Sequence, residues 1–435
     1  MPDSELPTVA VIVLNYNGRE HLEHCLESLR RLDYPAERLE LILADNASSD
    51  GSAAYVRERF PEVRVIALDA NYGFAGGNNR AAAQTAAEWV GFLNNDMHVE
   101  PTWLREMVAP LAKQPEIACL SGKILNWDGS AIDFIGAGVN FQGFGFPVDV
   151  GRRTSPHDRF RRLLAPCGGA MLIRRRLFEE LDGFDDDYFA FYEDTDLGWR
   201  LNLLGHDVYY VPAAVVYHRH HGSFKRVAAA RRRALYERNA LMTMYKCLDD
   251  ANLAAALPAA LLLLNEKALA TAGIDSQSLF TGSAARTESV VDKVGGADPG
   301  REWLAAKATR VFRTQGLPGV VRKGFGFLAA SVSRAARRLR NRVLPSPLLP
   351  AEAVAHYAGM SAFAHSLPRL REKRQWLQER RVRSDSDLLE LFVHPLEPVY
   401  HDPDYVRFHW QLVKALGLDK SFAKGRQATR SASAT

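Results

Sequence analysis

The feature of this sequence that most constrains its fold is a regular alternation of strand-like and helix-like segments over the first 93 residues. Short apolar runs rich in β-branched residues alternate with stretches whose apolar residues recur at helical spacing. The predicted strands are 8–14, 39–44, 63–68 and 89–93, and the predicted helices are 19–32, 51–60 and 78–88. Repeated strand–helix units build a mostly parallel sheet flanked by helices. We therefore predict an α/β, Rossmann-like fold.

The pattern beyond this region is mixed and then mainly helical. A Gly-rich stretch at 136–151 precedes a strand-like run at 170–173, and helical segments follow Ser223. The predicted units are 1–100, the nucleotide-binding half of the α/β domain; 101–245, its acceptor-facing half; 246–345, a helical segment with a mobile loop at 273–300 and a basic amphipathic helix; and 346–435, a helical region ending in a disordered tail.

Composition excludes several classes of protein. The 435 residues are 47% hydrophobic and 24% charged, as in soluble globular chains. Four scattered cysteines without a C-x-x-C pair argue against a disulfide framework or structural zinc site and favour a reducing cytosol. The apolar run 9–14 is too short for a signal core. The run 253–264 is interrupted by Pro258 and falls short of the roughly 20 residues of a membrane span, so a buried helix is predicted there.

Positive charge is concentrated in one segment. Residues 301–345 hold 11 Lys and Arg against one acid, and apolar residues recur there every three or four positions. A basic amphipathic helix of this kind can lie on an anionic membrane surface. The same pattern also fits a helix with a solvated basic face packed on the main domain.

Two acidic clusters are candidates for chemistry. Asn94-Asn95-Asp96 follows a buried-strand pattern, so Asp96 is predicted at the carboxyl edge of the sheet, where α/β folds place their ligands. Glu193-Asp194 opens a helical stretch about a hundred residues later. Asn94-Asn95-Asp96 could instead form a turn at the end of the strand, since Asn and Asp are common in turns. Glu193 and Asp194 could instead be acids favoured by the dipole at a helix N-terminus.

Six blocks, taken in order, resemble family 2 glycosyltransferases of the GT-A fold, and most closely the bacterial rhamnosyltransferase-like branch. The resemblance covers roughly residues 8 to 245 and depends on the order of the blocks, because each block alone is common. The blocks are Val11 to Asn17, Leu43 to Gly51, Asn71 to Asn79, Phe92 to Asp96, Gly168 to Ile173, and Gly183-Phe184 followed by Phe191 to Leu197.

The resemblance implies a nucleotide-sugar site. Asp45 would accept the imide N–H of uracil or thymine, whereas Asp50 is expected only to cap a turn. Asn78 is predicted to begin a helix whose dipole favours an anion. A plain strand-to-helix connection explains the 71–79 loop almost as well. Arg238 is predicted to donate hydrogen bonds to the diphosphate, and a basic helix face explains this residue almost as well. The predicted donor-binding residues are Asn15, Asn17, Asp45, Asn71, Gly76, Asn78, Asn94, Asn95 and Arg238.

A metal site follows from the same resemblance. Asn94-Asn95-Asp96 keeps only one carboxylate of the family's usual D-x-D, so donor phosphates and water would complete the shell of Mg²⁺ or Mn²⁺. His218, after a strand-like run, matches the histidine that ligates the metal in several family members. His220 and His221 are expected to be solvated loop residues.

The resemblance assigns the general base to Asp194, with Glu193 shaping its surroundings by hydrogen bonds and charge. It implies an inverting transfer from a UDP- or dTDP-sugar, with dTDP-L-rhamnose a candidate, to a glycan or lipid-linked glycan. The Q-x-x-R-W signature of processive synthases is missing, which favours a non-processive enzyme. We predict a cytoplasmic protein in peripheral contact with the inner face of the cell membrane.

Competing functions remain open. A nucleotidyltransferase would also use a sheet, a nucleotide and Mg²⁺, but the Asn15 to Arg19 segment lacks the Gly-rich, basic triphosphate loop expected of one. A catalytically silent nucleotide- or glycan-binding scaffold would explain the single carboxylate at Asp96. Nucleic-acid binding is the weakest alternative because the basic segment lacks interleaved aromatic residues.

Overall fold

A computed structural model describes residues 2–153, 158–219, 228–274 and 349–422. Its α/β core confirms the predicted fold class. The strands are β1 Val9–Asn15, β2 Leu39–Asp45, β3 Arg64–Ala67, β4 Trp89–Asn94, β5 Met97–Val99, β6 Cys119–Asn126, β7 Ile132–Phe134, β8 Ala137–Val139, β9 Gly145–Pro147, β10 Arg161–Leu163, β11 Ala170–Arg174 and β12 Val208–His218. The α-helices are α1 Arg19–Arg30, α2 Ser52–Arg59, α3 Gly73–Ala82, α4 Trp103–Val108, α5 Arg175–Glu180, α6 Glu193–Leu203, α7 Ala229–Cys247, α8 Asp250–Ala272, α9 Ala351–Arg380, α10 Asp385–Leu388, α11 Pro403–Ala415 and α12 Leu418–Ser421.

The large sheet runs in the order β10-β12-β6-β11-β4-β1-β2-β3. Its β3-β2-β1-β4 half is parallel, and β11 is inserted antiparallel between β4 and β6. Because β11 is antiparallel to both neighbours, β6 and its parallel partner β12 run in the same direction as β4. Strands β1, β2, β4, β6 and β12 therefore end at one edge, which we call the carboxyl edge, and β11 begins there.

The central strands are buried on both faces, as expected for strands covered by helices on each side. In β1 every residue except Leu14 is buried, and β4 and β11 are almost as fully enclosed. Such continuous apolar runs are why the sequence predicted these strands to within one or two residues.

The third helix differs from its prediction. Residues 78–88 were expected to be helical, but α3 spans Gly73–Ala82 and residues after it turn into β4. The glycines at its start are required by packing rather than being helix breakers. A Cβ on Gly77 would lie 2.6 Å from the Leu14 side chain, and one on Gly73 would lie 2.2 Å from the Phe189 carbonyl oxygen. Close approach to β1 and to Phe189 therefore fixes α3 in this register.

The helices after the sheet pack together as one apolar cluster. Buried residues of α7, α8, α9 and α11 form one cluster with Trp199 of α6 and with Phe141, which lies between β8 and β9. Within this cluster Glu237 Oε1 lies 2.8 Å from Lys267 Nζ and 2.9 Å from His356 Nδ1, which joins α7, α8 and α9 through buried charges. A domain boundary was predicted at residue 245, but α7 continues past it to Cys247. The division of the chain into units stays a prediction.

The apolar run 253–264 forms part of the 23-residue helix α8, longer than the sequence suggested because Pro258 is accommodated inside it. By length and composition alone, α8 is the one described helix that could cross a membrane, although 39% of its most apolar window is buried inside the protein. A core helix passes the same test. The basic helix predicted within 301–345, the loop 275–300 and the tail from 424 lie outside the described residues.

Candidate active site

The ends of β1, β2 and β4 are joined by one buried polar cluster. Asn15 Nδ2 donates to Asp45 Oδ1 at 3.2 Å and to Ser48 Oγ at 3.1 Å, and Asn15 Oδ1 accepts a 2.7 Å hydrogen bond from Asn95 Nδ2. Asp45 Oδ2 accepts the Ser48 amide. We call Asn15, Asp45, Ser48 and Asn95 the donor-edge cluster. Sequence placed Asn15 and Asn95 in contact with the donor; in the structure both are almost fully buried and bonded to neighbouring side chains, and their contact with the donor stays a prediction.

The loop after β2 is held by side chains that the sequence singled out. Asn17 has a positive φ of 52°, and its Oδ1 accepts a 2.7 Å hydrogen bond from the Ser49 amide. Asp50 accepts the amides of Ser52 and Arg19, so it caps the turn as expected. Asn71, exposed in the next loop, accepts hydrogen bonds from Asn46 and from the Gly73 amide. These contacts shape the loops and leave Asn17 and Asn71 within reach of a ligand.

One prediction for the 71–79 loop is wrong, because Asn78 does not begin a helix. Asn78 lies inside α3 rather than at its start, is 1% exposed, and donates to the Phe74 carbonyl. The amides at the observed start of the helix already have a partner in the protein, because Phe74 N and Ala75 N both donate to the Phe189 carbonyl. Gly76 is buried, and a Cβ there would lie 3.0 Å from both Tyr72 Cβ and Arg80 Nη1. Its contact with the donor stays a prediction.

Asp96 and His218 meet at the carboxyl edge. His218 is the last residue of β12 and pairs with Met97 of β5. This pairing places His218 Nε2 3.4 Å from Asp96 Oδ2. The other ring nitrogen, Nδ1, lies 2.7 Å from Asp133 Oδ2. Although burial opposes the charged imidazole, the two carboxylates raise the pKa of His218 to about 9 in the absence of a cation. Burial likewise opposes ionisation of Asp96, but His218 offsets it and the net pKa of Asp96 is lowered.

This arrangement fits a divalent cation completed by a ligand. A metal-bound histidine typically presents one ring nitrogen to the ion while a carboxylate holds the other, and Asp133 occupies that second position. No group of three or more metal-ligating side chains occurs within the described ranges. Asp96 and His218 would therefore need phosphate oxygens and water to complete the shell of Mg²⁺ or Mn²⁺. Asp133, on the short strand β7, was missed because a lone acid in such a strand carries no motif.

Asp194 lies at the same edge, next to the start of β11. Its Oδ2 accepts a 2.9 Å hydrogen bond from Gly168 N, and its Oδ1 accepts a 2.6 Å bond from Thr195 N. Burial raises the pKa of Asp194 despite these bonds. Burial, followed by the charge of Asp194, raises the pKa of Glu193 well above its usual range, and Glu193 Oε2 has no hydrogen-bond partner in the described structure.

A short path joins the two acidic clusters. Gly168 donates to Asp194, and the carbonyl of the adjacent Gly169 accepts the Asn94 amide, two residues before Asp96. The thiol of Cys167 interacts electrostatically with Asp194 and with Asp133, the partner of His218. Burial raises the pKa of Cys167 well above the usual range, and the charges of Asp194 and then Asp133 raise it further. Asn94 packs against Gly169, where a Cβ would lie 2.5 Å from its Nδ2. The candidate metal ligands and the candidate base therefore share one edge of the sheet.

Arg238 was expected to meet the diphosphate, and the structure gives its guanidinium other partners. Its Nη2 donates to the carbonyls of Asp187 and Tyr188 at 2.8 and 2.9 Å, and its Nε donates to Asn239 Oδ1. These bonds hold the backbone before α6, and a contact of Arg238 with the diphosphate stays a prediction. We call residues 187–194, which end in Glu193 and Asp194, the catalytic segment.

Asp196, one turn into α6, belongs to a different environment. It is fully buried, with Lys246 Nζ at 2.7 Å and Arg200 Nε at 2.8 Å, so it stabilises the fold. A cavity of about 850 Å³ opens near this ion network, between α5 and α9, but its lining includes neither Asp96 nor Asp194. His220 and His221 lie outside the described residues.

Comparison with known proteins identifies a family. The family model described as "Glycosyl transferase family 2" matches residues 10–182. An N-acetylglucosaminyl-diphospho-decaprenol L-rhamnosyltransferase of Mycobacterium tuberculosis is 31% identical over 237 residues, covering 49% of this chain and 75% of the relative. The O-antigen biosynthesis protein RfbC of Myxococcus xanthus is 32% identical over 210 residues, covering 46% of this chain and 16% of that protein.

Solved structures give a more distant likeness. A mannosyltransferase of Pyrobaculum calidifontis in complex with GDP-Man and Mn²⁺ is 16% identical, with a TM-score of 0.43, covering 83% of this chain and 88% of that one. S. aureus TarS 1-349 in complex with UDP is 17% identical, with a TM-score of 0.43, covering 62% of this chain and 77% of that one.

Proposed function

We propose that this chain, which belongs to the rhamnosyltransferase-like branch of glycosyl transferase family 2, is an inverting, metal-dependent, non-processive enzyme. It is a glycosyltransferase. In this proposal it moves one sugar from a UDP- or dTDP-sugar to a hydroxyl of a lipid-linked or envelope glycan. The printed activity of the mycobacterial relative supports L-rhamnose as the sugar and a diphosphate-linked lipid as the acceptor.

One observation carries the proposal. Two hydrogen bonds, Gly168 N to Asp194 Oδ2 and Asn94 N to Gly169 O, connect the base candidate to the turn that contains Asp96. The Asp194 carboxylate, which is suited to accept a proton, thus lies at the same edge as the Asp96–His218 pair, which is suited to bind a cation. In a displacement at a sugar carbon, a base assists on the side of the attacking hydroxyl and a cation can assist on the side of the departing diphosphate.

The proposed reaction is a single displacement. Asp194 accepts the proton of the acceptor hydroxyl as its oxygen forms a bond to the anomeric carbon, and the bond from that carbon to the diphosphate oxygen breaks. The raised pKa of Asp194 makes it a stronger base than an ordinary aspartate. A divalent cation held by Asp96 and His218 would supply stabilisation of the negative charge on the departing diphosphate.

The remaining side chains orient the donor. Asp45 ends β2 at the carboxyl edge, where a nucleobase imide could donate to it, and Asn17 and Asn71 border the same loops. Asn94 presents an amide beside Gly169. Glu193, whose raised pKa favours the neutral acid, would adjust the polarity around Asp194 rather than accept the proton itself.

We further propose peripheral association with the cytoplasmic face of the membrane, because a lipid-linked acceptor would be presented there. The basic segment 301–345 supports this by composition. Flotation with anionic and neutral liposomes at low and high salt tests it. Salt-sensitive flotation with anionic vesicles alone is expected, and no association with either vesicle would contradict it.

The function is tested by a donor screen. Thermal unfolding is measured with UDP, dTDP, GDP and their common sugar conjugates, with and without Mn²⁺, followed by turnover of any stabilising donor. A uridine or thymidine donor should stabilise the protein only with the cation and should be consumed slowly by hydrolysis. Binding without consumption would favour a silent scaffold, and release of pyrophosphate from a nucleoside triphosphate would favour a nucleotidyltransferase.

A further inference from the structure

The backbone immediately before the catalytic acids adopts an unfavourable conformation. Phe189 (φ 63°, ψ −60°), Phe191 (φ 73°) and Tyr192 (φ 70°) all have positive φ, which non-glycine residues rarely adopt. Three such residues within four positions directly precede Glu193 and Asp194. A backbone of this kind persists only where its surroundings hold it in place.

A single buried side chain on α7 supplies much of that restraint. Asn239 is fully buried, and its Nδ2 lies 3.2 Å from Tyr188 O, 2.9 Å from Ala190 O and 2.8 Å from Phe191 O. Arg238 extends the contact to the carbonyls of Asp187 and Tyr188 and also donates to Asn239 Oδ1. Four consecutive or near-consecutive carbonyls of the catalytic segment are therefore bound by two adjacent residues.

The opposite side of the segment is bound by α3. The Phe189 carbonyl accepts the Phe74 amide at 2.6 Å and the Ala75 amide at 3.3 Å. Gly73 permits this approach, because a Cβ there would lie 2.2 Å from the same carbonyl oxygen. The segment is thus fixed between the helix that follows the donor loop and the helix that follows β12.

We infer that Asn239, assisted by Arg238, is a positioning residue that holds Asp194 in its base geometry. The two residues do so by binding the carbonyls of Asp187, Tyr188, Ala190 and Phe191. The inference rests on the proposed function, in which Asp194 is the base. Asn239 is buried beneath the segment and acts through it. Displacement of a reacting group by about 1 Å can cost on the order of 100-fold in rate, so loosening this clamp should affect turnover more than binding.

The chain offers a matched control for Asn239. Asn202, on α6, is equally buried, and its Nδ2 donates to the carbonyls of Leu163, Leu164 and Gly198. Those carbonyls belong to residues outside the catalytic segment. Asn239→Ala and Asn202→Ala therefore remove the same chemical group from similar surroundings, and only the first releases the backbone before Asp194.

Kinetics on the full chain test the inference, with the donor found by the screen. Asn239→Ala should lower kcat by about 10- to 100-fold while KM for the donor and the affinity for its nucleoside diphosphate change less than about 3-fold. Asn202→Ala should leave kcat within about 3-fold of wild type. Equal kcat values for the two variants would overturn the inference.

Arg238→Lys gives a second test should Asn239→Ala fail to fold. Lysine keeps the charge but cannot donate in the same planar arrangement. A lower kcat at unchanged nucleotide affinity supports positioning. Weaker nucleotide binding at unchanged kcat would overturn it and assign Arg238 to the diphosphate.

Hydrogen exchange separates failure of the clamp from failure of the proposed function. Amides of residues 188–194 should exchange at least about 10-fold faster in Asn239→Ala than in Asn202→Ala, whether or not any donor is turned over. Unchanged exchange overturns the clamp even in an active transferase. Faster exchange in a protein without transferase activity supports the clamp while removing the role proposed for Asp194.

Discussion

The donor-edge cluster and the catalytic segment lie at the same sheet edge but are built in opposite ways. In the donor-edge cluster, Asn15, Asp45 and Asn95 are buried and bonded to one another at the ends of regular parallel strands. In the catalytic segment, positive φ angles lead into two acids with raised pKa values, and Glu193 Oε2 has no described partner. Under the proposed function, the first region contributes stability, whereas the second carries strain and desolvation that would serve chemistry.

The largest effect expected from this contrast is on Asp194. Replacing it with asparagine removes the proton acceptor but keeps the shape and the ability to accept from Gly168 N. We expect kcat to fall by about 10²- to 10⁴-fold, the usual contribution of a general base, with little change in nucleotide affinity. Steady-state kinetics with a calorimetric titration measures both.

The control for this substitution is Asp128→Asn. Asp128 is an exposed turn residue that caps the Ser130 amide, so an asparagine there should leave kcat unchanged. Normal turnover by Asp194→Asn would remove the base assignment.

The next largest effect concerns Asp133. Asp133→Asn weakens the partner of His218 Nδ1 without touching Asp96. Because partners of metal-bound histidines typically contribute 10- to 100-fold, we expect about that loss in Mn²⁺ affinity, measured by titration in the presence of nucleoside diphosphate. An unchanged Mn²⁺ affinity would show that His218 does not hold the cation through this arrangement.

The donor-edge cluster should respond in stability. Asn15→Ala removes the partner of Asn95 Nδ2 and one partner each of Asp45 Oδ1 and Ser48 Oγ. This loss in a buried cluster should cost about 2–4 kcal/mol in the free energy of unfolding. Asn265→Ala, which removes one bond to Tyr357 OH from a half-buried site, should cost less than about 1 kcal/mol. Denaturant unfolding compares the two, and equal losses would contradict the role given to Asn15.

The smallest expected effect is a shift in pH dependence. Asp194 must be ionised to accept a proton, and burial raises its pKa. Activity should therefore fall with decreasing pH at a higher pH than an ordinary aspartate would give. The titratable groups facing it are Glu193, Tyr192, Tyr236 and Cys167. A kcat profile whose acid limb falls in the range of an ordinary aspartate would contradict this environment.

Local patterns predicted the regular part of the fold. β1, β2, β4 and β11 are continuous apolar runs buried on both faces, so their sequences alone located them. The predicted start of α3 was wrong because glycines at 73, 76 and 77 lower helix propensity. In the structure, contacts with Phe189 and Leu14 require the glycines at 73 and 77. Tertiary packing outweighed local preference there.

The sequence predicted only those site residues that belong to recognisable motifs. Asp96, Asp194 and His218 were found through ordered blocks resembling a family, and the structure brings them to one edge. Asp133 was missed and Asn239 was given no role, because their partners are 85 and about 50 residues away and such pairings leave no local signal. A possible clue to Asn239 was its place directly after Arg238 in an otherwise basic helix face.

The central claim is that Asp96 anchors a cation-bound nucleotide while Asp194, at the same edge, performs the proton transfer. Calorimetric titration of dTDP and UDP into Asp96→Ala and Asp194→Asn, with Mn²⁺ or with EDTA, tests it most directly. The account predicts that Asp194→Asn binds one nucleotide at least about 10-fold more tightly with Mn²⁺, as wild type does, and that Asp96→Ala loses this dependence. Cation-dependent binding by Asp96→Ala at wild-type strength would contradict it.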